Sequence, residues 1–359
     1  MMRNGLEWIT ERARLDEVAD DWDQLAAGRF RPFLDSSWFR CWWDAFGDGR
    51  SLEVCVLRRS GQMVGIFPLR RKGTTLSGLA NDHSPVFAPL AADADALAAL
   101  VAGVLERCSV LKLEGLPASS EALAELHRGT DTSRKRVIAQ PWHTSPFTDT
   151  RGELASLRSA RKQAWRETER RRRKLIREHD TEFRLMDHPR DVNVELAAGL
   201  EVEASGWKGR AKTAILSSPD TAGFYISLAA VLQSRGELRF STVTCGGRLV
   251  AFDLALVHDR RYFLLKTAYD ESYRSLSPGL VLRLAVIERC FEVGLEAHEF
   301  LGPDMAWKRL FATGTREHTA LDAYSRRPIP TLRYEYRRQL RPWMRRAYRA
   351  AQSVYASKC

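Results

Sequence analysis

Apolar and polar residues alternate in the same way in two stretches of this chain that lie 186 positions apart. In each stretch an aromatic pair, at 38–39 or 224–225, precedes an apolar alternation, a polar turn with glycine and a second apolar alternation. Alternation with a period of two predicts half-buried strands, and the glycines suit the positive φ of a tight hairpin. The pattern therefore predicts two equivalent hairpins, at 52–69 and 238–255.

A repeat of this length indicates a duplicated domain, because the units of solenoid proteins run roughly 20–50 residues. We expect a first domain at 5–145 and a second at 180–325. Residues 153–179 contain neither Pro nor Gly and predict one long connecting helix, and a tail follows at 326–359. The expected fold class is α/β (α+β), with two tandem domains, each a mixed and mostly antiparallel sheet flanked by helices.

The clearest single element of the second copy is a helix over residues 278–293. Ser277 is a preferred N-cap residue, Pro278 suits the first helical position, and Gly294 suits the end. A strand is predicted just before this helix, at 262–267. Backbone N–H groups at a helix start, together with the helix dipole, favour phosphate groups. The pattern therefore predicts an anion site at the start of this helix.

Charge is distributed unevenly along the chain. Of the net charge of +11, residues 158–177 carry +8 and residues 326–359 carry +9, so the remainder carries −6. Charge confined to two segments favours electrostatic docking over a nucleic-acid groove. Two interpretations of the helix at 153–179 stay open. It is either a solvated helix across the domain junction, or an arm that contacts an acidic partner, lipid head groups or a polyanion.

The tail at 326–359 has an amphipathic pattern. From Leu332 to Val354 apolar residues recur at steps of three and four, with Arg between them. This pattern suits an anionic membrane surface, and it also suits a helix packed against its own domain. No apolar run approaches the ~20 residues of a membrane span, and the N-terminus lacks the apolar core of a signal peptide. We expect a cytoplasmic protein with peripheral contact at the inner membrane face.

Several chemistries are excluded by their missing motifs. The six cysteines are scattered singly and the eight histidines do not fall at ligand spacing, so we predict neither a disulfide framework nor a metal site. The sequence also lacks a Gly-x-Ser-x-Gly elbow, a P-loop and a dinucleotide fingerprint. These absences argue against α/β-hydrolase, nucleotide-hydrolysing and dinucleotide-dependent enzymes.

Four motifs of the second copy, taken together, resemble those of a known family. They are EASGWKG at 203–209, Tyr-Asp at 269–270, Ser-Pro-Gly at 277–279 and GPDMAWKRLF at 302–311. The combination looks like the GNAT-type acyltransferase domain of bacterial proteins linked to cellulose and exopolysaccharide synthesis. That group is similar in turn to the Fem-type peptidoglycan aminoacyltransferases, which carry two tandem GNAT-like domains. The resemblance covers most of the second domain and extends more weakly to the first.

The resemblance implies transfer of an acyl group from a thioester, usually acyl-CoA or acetyl-CoA, to an amine or hydroxyl, without a metal. In such domains the strand before the helix parts from the next strand, and the thioester lies between them where backbone donors stabilise the oxyanion. The implied donor-binding positions are Lys266, Thr267, Ala268, Ser277, Pro278, Gly279 and Leu280. The usual phosphate loop, Arg/Gln-x-x-Gly-x-Gly/Ala, is absent. A carrier-protein or aminoacyl-tRNA donor therefore stays open.

Asp304 and Lys308 are the first catalytic candidates, because they lie one helical turn apart just after a predicted strand. Asp304 would accept the proton of the attacking amine, and Lys308 would neutralise a phosphate or the oxyanion. A plain surface ion pair, worth roughly 0.3–0.5 kcal/mol, is the alternative interpretation. Tyr269 and Glu203 are further catalytic candidates, the latter as a general base.

Five residues are candidates for acceptor binding: Trp207, Lys208, Asp270 and, in the first domain, Asp82 and His83. Trp207 and Lys208 would alternatively cap a buried helix end, and Asp82 with His83 would alternatively order a turn. The expected acceptor is a sugar, amino-sugar or lipid-linked precursor of a cell-envelope polymer or exopolysaccharide.

Two alternatives to this enzyme stay open. A Fem-like transferase would draw aminoacyl groups from tRNA, and its Arg-rich helix would hold the RNA; nucleic acid is expected as a partner only in that case. A non-catalytic scaffold would instead dock a polysaccharide-synthesis complex at the membrane.

Overall fold

The computed structural model describes residues 5–28 and 31–340, and these form two units. The N-terminal unit comprises the described residues within 1–36, 49–142 and 318–359. The C-terminal unit comprises 37–48 and 143–317. The segment at 37–48 therefore counts with the C-terminal unit and the segment after 317 with the N-terminal unit. The domain boundaries expected from sequence, at 5–145, 153–179, 180–325 and 326–359, stay a prediction.

The strands of the described residues, numbered in chain order, are short in the N-terminal unit and longer in the C-terminal unit. They are β1 (Gly5–Ile9), β2 (Ser51–Leu52), β3 (Val54–Arg59), β4 (Gln62–Phe67), β5 (Leu69–Lys72), β6 (Thr75–Gly78), β7 (Leu90–Ala91), β8 (Val110–Pro117), β9 (Arg136–Asp149), β10 (Thr181–Asp187), β11 (Leu238–Cys245), β12 (Arg248–His258), β13 (Arg261–Tyr269), β14 (Ala297–Glu299) and β15 (Gly314–Tyr324).

The α-helices are numbered in the same way. They are α1 (Arg14–Glu17), α2 (Ala19–Ala26), α3 (Arg31–Leu34), α4 (Ser36–Phe46), α5 (Ala94–Arg107), α6 (Glu121–Thr132), α7 (Leu154–Ala160), α8 (Lys162–Glu178), α9 (Val192–Ser205), α10 (Trp207–Arg210), α11 (Pro219–Ser234), α12 (Pro278–Glu292), α13 (Ala306–Arg309) and α14 (Pro328–Glu335). Two 3-10 turns, Ile215–Ser217 and Glu271–Leu276, and a π-helical turn, Tyr336–Leu340, complete the described elements.

The two predicted hairpins are present as β3–β4 and β11–β12. Their second strands begin at Gln62 and Arg248, which are 186 positions apart. In both hairpins the register slips by one residue, which leaves Val64 as the extra residue in β4 and Val250 in β12. These two valines are also 186 positions apart. A β-bulge bends its strand and increases the local twist, so the two copies share a backbone irregularity as well as a sequence pattern.

The sheet of the C-terminal unit has the order β10-β11-β12-β13-β14-β9. Every neighbouring pair is antiparallel except β13–β14, which is parallel and is joined by α12. Ala251 of β12 belongs to the core that also contains Leu284 of α12, whereas the next residue, Phe252, lies against Gly199 of α9. Because successive strand residues point to opposite faces, α12 and α9 cover opposite faces of the sheet.

Helix α12 begins at the predicted residue and ends one residue early, before Gly294 at a φ of +69°. Leu284 and Ile287 of its predicted apolar face are buried, and Leu280 and Phe291 are partly buried. Burial extends around the helix to Arg283, a residue that the apolar pattern did not single out.

The prediction of a single helix at 153–179 is wrong, because the chain forms two helices there, α7 and α8. The break lies at Arg161, whose φ of −112° leaves the helical region and whose guanidinium donates to the carbonyl of Ala312. Trp165 and Leu175 of α8 are buried in the core of the C-terminal unit. Arg172 of α8 is paired with Glu288 of α12, so part of the basic segment is tied to its own unit.

The N-terminal unit contains one sheet of order β1-β3-β4-β7 and a second set of paired strands, in which residues 318–324 of β15 are followed by β8, β6, β5 and β2. β6 and β8 are parallel and are joined by α5, as β13 and β14 are joined by α12. The expected fold class, two related α/β (α+β) domains of mixed sheet flanked by helices, is confirmed. Among the described residues no single helix is long and apolar enough to span a bilayer.

Candidate active site

The parallel strands β13 and β14 part after three residue pairs. Residues 261–263 pair with residues 297–299, and β13 then continues along β12 as far as Tyr269. In the described sheet, residues 264–269 therefore have no strand partner on the side of β14. Leu265 is the extra residue of a β-bulge at the start of this free edge. Unpaired backbone N–H and C=O groups need partners, so the edge is suited to a ligand.

The first turn of α12 lies beside this edge and offers one backbone donor. Pro278 has no N–H, and the N–H groups of Leu280 and Val281 both donate to the carbonyl of Ser277, at 2.9 and 3.1 Å. The N–H of Gly279 has no acceptor among the described residues. This donor, together with the positive end of the helix dipole, is what the helix offers to an anion.

Ser277 occupies the predicted N-cap position, but its side chain does not cap the helix. Its φ of +47° and ψ of +56° place it in the left-handed region, and its Oγ donates to the carbonyl of Arg274 at 3.3 Å. The expectation that Gly279 leaves room for a ligand is also only partly met. A Cβ on Gly279 would lie 3.3 Å from the ring of Tyr269, so that ring occupies one side of the helix tip.

Asp304 and Lys308 do not form the surface ion pair that was the alternative interpretation of their spacing, and their catalytic roles stay a prediction. Asp304 accepts hydrogen bonds from Arg309 Nε and forms an ion pair with it, and this contact lowers the pKa of the carboxyl group. The buried Lys308 Nζ donates to the carbonyls of Leu301 and Pro303. Burial lowers the pKa of Lys308 to about 8, with a further contribution from the charge of Arg283.

The loop that Lys308 holds has unusual backbone geometry. Leu301 and Gly302, directly after β14, both have left-handed backbones with φ of +51° and +57°. Ser145 Oγ donates to the carbonyl of Gly302 at 2.9 Å, so three consecutive carbonyls of this loop are bound by side chains. A left-handed Leu is costly and persists where its surroundings over-determine it, as they do here.

Glu203, Lys208 and Thr267 meet at the free edge of β13. Lys208 Nζ donates to Glu203 Oε1 at 2.6 Å and to the carbonyl of Thr267 at 3.3 Å. The other oxygen of the buried Glu203 accepts from the N–H of Ile215 at 2.9 Å. Both carboxylate oxygens are therefore engaged, and the pair brings a charged side chain to the edge where a thioester is expected.

Lys266, on the same edge, lies on the side of α9 and α11. Its Nζ lies 4.9 Å from the ring centre of Tyr225, and burial lowers its pKa while the charge of Glu203 acts in the opposite direction. The neighbouring Ala268 is opposite Phe252 in the register. The structure therefore brings together the predicted donor residues of β13 and the predicted residues Glu203 and Lys208.

Trp207 and Asp270 shape the loop at 270–276. Trp207 is 53% exposed, and its backbone N–H donates to Glu271 Oε1 at 2.7 Å. Asp270 accepts from the N–H and Oγ of Ser272 and from Arg248. Burial alone would raise the pKa of Asp270, but these contacts outweigh it and the pKa is lowered. The acceptor contacts expected for both residues stay a prediction.

Asp82 and His83 lie in a turn of the N-terminal unit. The N–H of His83 donates to Asn81 Oδ1 at 3.0 Å, and the N–H of Ser84 donates to the carbonyl of Asn81 at 2.9 Å. This geometry agrees with the ordered turn that was the alternative interpretation, and contact with an acceptor stays a prediction.

The parallel pair of the N-terminal unit is filled where that of the C-terminal unit is open. β6 and β8 also pair over three residues, 75–77 with 110–112. Beyond them the fully buried ring of Phe87 lies against Gly78, where a Cβ would come within 2.8 Å of the ring. The N–H of Phe87 donates to the carbonyl of Gly115 at 3.0 Å. Of the two described parallel pairs, the open edge is that of β13.

Sequence reasoning missed a buried charged network that joins β12, α12 and β14. Arg283 is 0% exposed, and its guanidinium donates to Asp253 Oδ1 at 2.7 Å and to His298 Nε2 at 2.9 Å. Burial and the charge of Arg283 hold the pKa of His298 well below its usual value, so the imidazole is neutral and accepts this bond. The available sequence feature was one Arg within the apolar run at 280–287 and one Asp within the apolar run at 249–257.

No group of three or more His, Cys, Asp or Glu side chains within residues 5–28 and 31–340 is arranged to hold a metal ion. The candidate site consists of the free edge of β13, the tip of α12, the Glu203–Lys208 pair, and Lys266. Lys308 belongs to it through its influence on the loop after β14.

Residues 159–309 match the family model described as acetyltransferase (GNAT) domain. The matched segment contains β13, α12 and β14, and therefore the whole of the parted strands. None of the curated protein sequences matches the chain. The match identifies a GNAT acetyltransferase domain, so the chain is an enzyme of the N-acyltransferase class.

Three solved structures are similar over most of the chain. The C-terminal domain of a protein named as a lysylphosphatidylglycerol synthetase from Agrobacterium fabrum has a TM-score of 0.56 and 11% identity, covering 86% of this chain and 92% of that one. FemX has a TM-score of 0.55 and 11% identity, covering 91% and 99%. A protein of unknown function from Bacteroides thetaiotaomicron has a TM-score of 0.52 and 11% identity, covering 89% and 100%. At this identity the likeness shows the fold.

Proposed function

We propose that this GNAT-type N-acyltransferase moves an acyl group from acyl-CoA to an amine or hydroxyl of a cell-envelope or exopolysaccharide precursor. The observation that carries the proposal is the free edge of β13 at residues 264–269, beside the tip of α12. A thioester carbonyl at this edge can accept hydrogen bonds from strand N–H groups as its oxygen becomes negative. The pyrophosphate of the donor would meet the N–H of Gly279 and the helix dipole.

The proton of the attacking group would be taken by Lys308. Asp304, the first candidate from sequence, is a poor base because Arg309 lowers its pKa. A general base is most effective when its pKa lies near the working pH, and the pKa of Lys308 is about 8. Near neutral pH a part of the Lys308 side chains is therefore unprotonated and able to accept a proton. The choice of an envelope or exopolysaccharide precursor as the acceptor rests on the sequence motifs. These resemble the motifs of the group linked to cellulose and exopolysaccharide synthesis.

The donor site predicts that acyl-CoA stabilises the protein. At 100 times its Kd, a donor should raise the free energy of unfolding by about 2.7 kcal/mol, read as a rise in Tm across a panel of acyl-CoAs. Gly279→Glu should abolish this rise, because a carboxylate at the helix tip repels the pyrophosphate. Gly223→Glu is the matched control, since Gly223 is also a helical glycine and a Cβ added there would meet no atom within 4 Å.

A flat response of the wild-type protein across the panel would overturn the proposal of a coenzyme A donor. An equal response of Gly279→Glu and Gly223→Glu would instead overturn the placement of the pyrophosphate at the tip of α12.

An aminoacyl-tRNA donor is the second candidate, and the exposed face of α8 favours it. Lys162, Arg166, Arg170 and Arg173 follow one another at steps of four, four and three, so they form a stripe on one side of the helix. All four are exposed and none forms an ion pair among the described residues. In that case tRNA would bind with an affinity that falls steeply as salt rises, and acyl-CoA would not stabilise the protein.

We also propose that the C-terminal segment touches an anionic membrane from the cytoplasmic side. In α14 and the following turn, Ile329, Leu332 and Tyr336 are exposed, the first two by 65% and 70%. Their spacing places them on one side of the helix, with Arg333 and Arg338 nearby in the sequence. The predicted continuation of this stripe, from residue 341 to 359, lies outside the described residues.

Ile329→Ser with Leu332→Ser should weaken binding to phosphatidylglycerol vesicles about tenfold or more, because two exposed apolar side chains no longer enter the bilayer surface. Cosedimentation measures the bound fraction. Val194→Ser with Ile226→Ser, two exposed apolar residues of the C-terminal unit, should leave it unchanged. Equal binding of both double variants, or equal binding to phosphatidylcholine vesicles, would contradict a membrane role for this stripe.

A further inference from the structure

Lys266 is a partly buried cation for which the described residues provide no anion. It lies opposite Leu254 in the register of β12 and β13. Its Nζ lies 4.9 Å from the ring centre of Tyr225 in α11, and it makes no hydrogen bond or ion pair with the described residues. The aromatic face attracts the ammonium group but does not neutralise its charge.

Glu203 is an acidic group whose charge influences Lys266, and its carboxylate already has other partners. Its charge raises the pKa of Lys266, while burial lowers it. Its two oxygens, however, accept from Lys208 Nζ at 2.6 Å and from the N–H of Ile215 at 2.9 Å. Because Lys208 and Glu203 neutralise each other, the charge of Lys266 is left over.

The uncompensated positive charge of Lys266 also influences Lys308. The charge of Lys266 is one of the causes that lower the pKa of Lys308. A cation that is withdrawn from water without a counter-ion is unfavourable. Such a group is commonly retained where a ligand supplies the opposite charge.

Lys266 lies on the other side of the sheet from the proposed site of the donor phosphates. Phe252 of β12 lies against Gly199 of α9, and by alternation Leu254 and its partner Lys266 are on that same face. The tip of α12 belongs to the opposite face. An anion at Lys266 would therefore approach the free edge of β13 from the side opposite the donor.

We infer that Lys266 binds an anionic group, a carboxylate or a phosphate, of the acyl acceptor on the α9 and α11 face of β13. The identification of the ligand as the acyl acceptor rests on the proposed function, whereas the anion site itself rests on the contacts of Lys266 alone. Lys208, held by Glu203 and touching the carbonyl of Thr267, borders this site on the same edge.

The experiment titrates the full chain with inorganic phosphate, and separately with succinate, and follows binding by calorimetry. Lys266→Met should weaken binding of the preferred anion about tenfold or more, because a charge-assisted hydrogen bond is lost. Lys266→Arg should retain most of it. Lys72→Met, at an exposed lysine of β5, is the matched control and should bind as the wild type does. Equal binding by Lys266→Met and wild type would overturn the inference.

Stability without ligand provides a second readout. Lys266→Met removes a cation that has no counter-ion, so its Tm should equal or exceed that of the wild type. A clear fall in Tm, with Lys266→Arg unaffected, would show that the protein itself compensates this charge, and it would overturn the inference.

Repeating the titration with saturating coenzyme A identifies the source of the anion. If the site serves the acceptor, phosphate and coenzyme A bind together and their stabilising effects add. Displacement of phosphate by coenzyme A would assign the site to the donor and overturn the assignment to the acceptor. If coenzyme A does not bind and phosphate still depends on Lys266, the anion site stands and the proposed donor fails.

Discussion

Asp253→Ala is expected to lower the free energy of unfolding by about 3–5 kcal/mol, since it leaves the guanidinium of Arg283 buried without its carboxylate. Arg283 is fully buried, and the 2.7 Å bond to Asp253 Oδ1 is its only contact with an acidic group among the described residues. His298 cannot replace Asp253, because burial and the charge of Arg283 keep its imidazole neutral. Denaturant unfolding followed by circular dichroism measures the loss.

Two further variants test whether the loss of stability comes from the buried position of this pair and not from the loss of an ion pair in general. Arg289→Ala breaks the exposed pair of Arg289 with Glu292 in the same helix, and should change stability by about 0.5 kcal/mol or less. Asp253→Ala combined with Arg283→Met removes both buried charges and should recover most of the stability lost in Asp253→Ala. A loss of under about 1 kcal/mol in Asp253→Ala would mean that Arg283 does not depend on this carboxylate.

Lys308 is expected to make the protein more stable as the pH rises from about 8 to 10.5. Its pKa is about 8 in the folded chain and 10.5 in its ordinary state. Below pH 8 both states carry the proton, and the folded state bears the cost of the buried charge. Between the two values the unfolded state binds more protons than the folded state, so the free energy of unfolding increases with pH, by about 3 kcal/mol in all.

Urea unfolding of wild type and Lys308→Met at several pH values measures this contribution as the difference between the two slopes. Lys308→Met should be less stable overall, because the carbonyls of Leu301 and Pro303 lose their donor. The free energy of unfolding of Lys308→Met should also increase less between pH 8 and 10.5 than that of the wild type. Lys162→Met, at an exposed lysine, should keep the wild-type slope. Parallel curves for wild type and Lys308→Met would show that Lys308 keeps its ordinary pKa.

The hairpins and α12 could be predicted because their determinants are local. Alternating side chains and a glycine turn are sufficient for a hairpin, and the residues from Ser277 to Gly294 carry start and stop signals within a single helix. The break at Arg161 could not be predicted in this way. Arg161 is compatible with a helix, and it leaves the helix where its guanidinium reaches the carbonyl of Ala312, which is 151 residues away in the chain.

The candidate site could be predicted as a set of residues but not as a set of contacts. Glu203, Lys208 and the residues of β13 were identified from motifs, and the structure brings them together. The ion pair of Asp304 with Lys308, which was the alternative interpretation and assumed helical spacing, is absent because the segment starts as a loop. There the left-handed backbone of Leu301 and Gly302 turns carbonyls toward Lys308, and no residue preference predicts a left-handed Leu.

The network of Asp253, Arg283 and His298 is the part that sequence reasoning was least able to find. Asp253 and Arg283 each interrupt an apolar run, whereas His298 lies between Glu296 and Glu299, so no shared sequence pattern connects the three. Their contacts form only when β12, α12 and β14 come together in the folded chain. Buried polar groups must find partners, so a charged residue in an apolar helix is itself a reason to search for an opposite charge elsewhere in the chain.

In the N-terminal unit the ring of Phe87 occupies the position that corresponds to the proposed donor site of the C-terminal unit. Because this ring fills the space beyond the β6–β8 pair, the described residues of the N-terminal unit offer no equivalent edge to a second donor. Saturation should therefore come at one equivalent of donor per polypeptide.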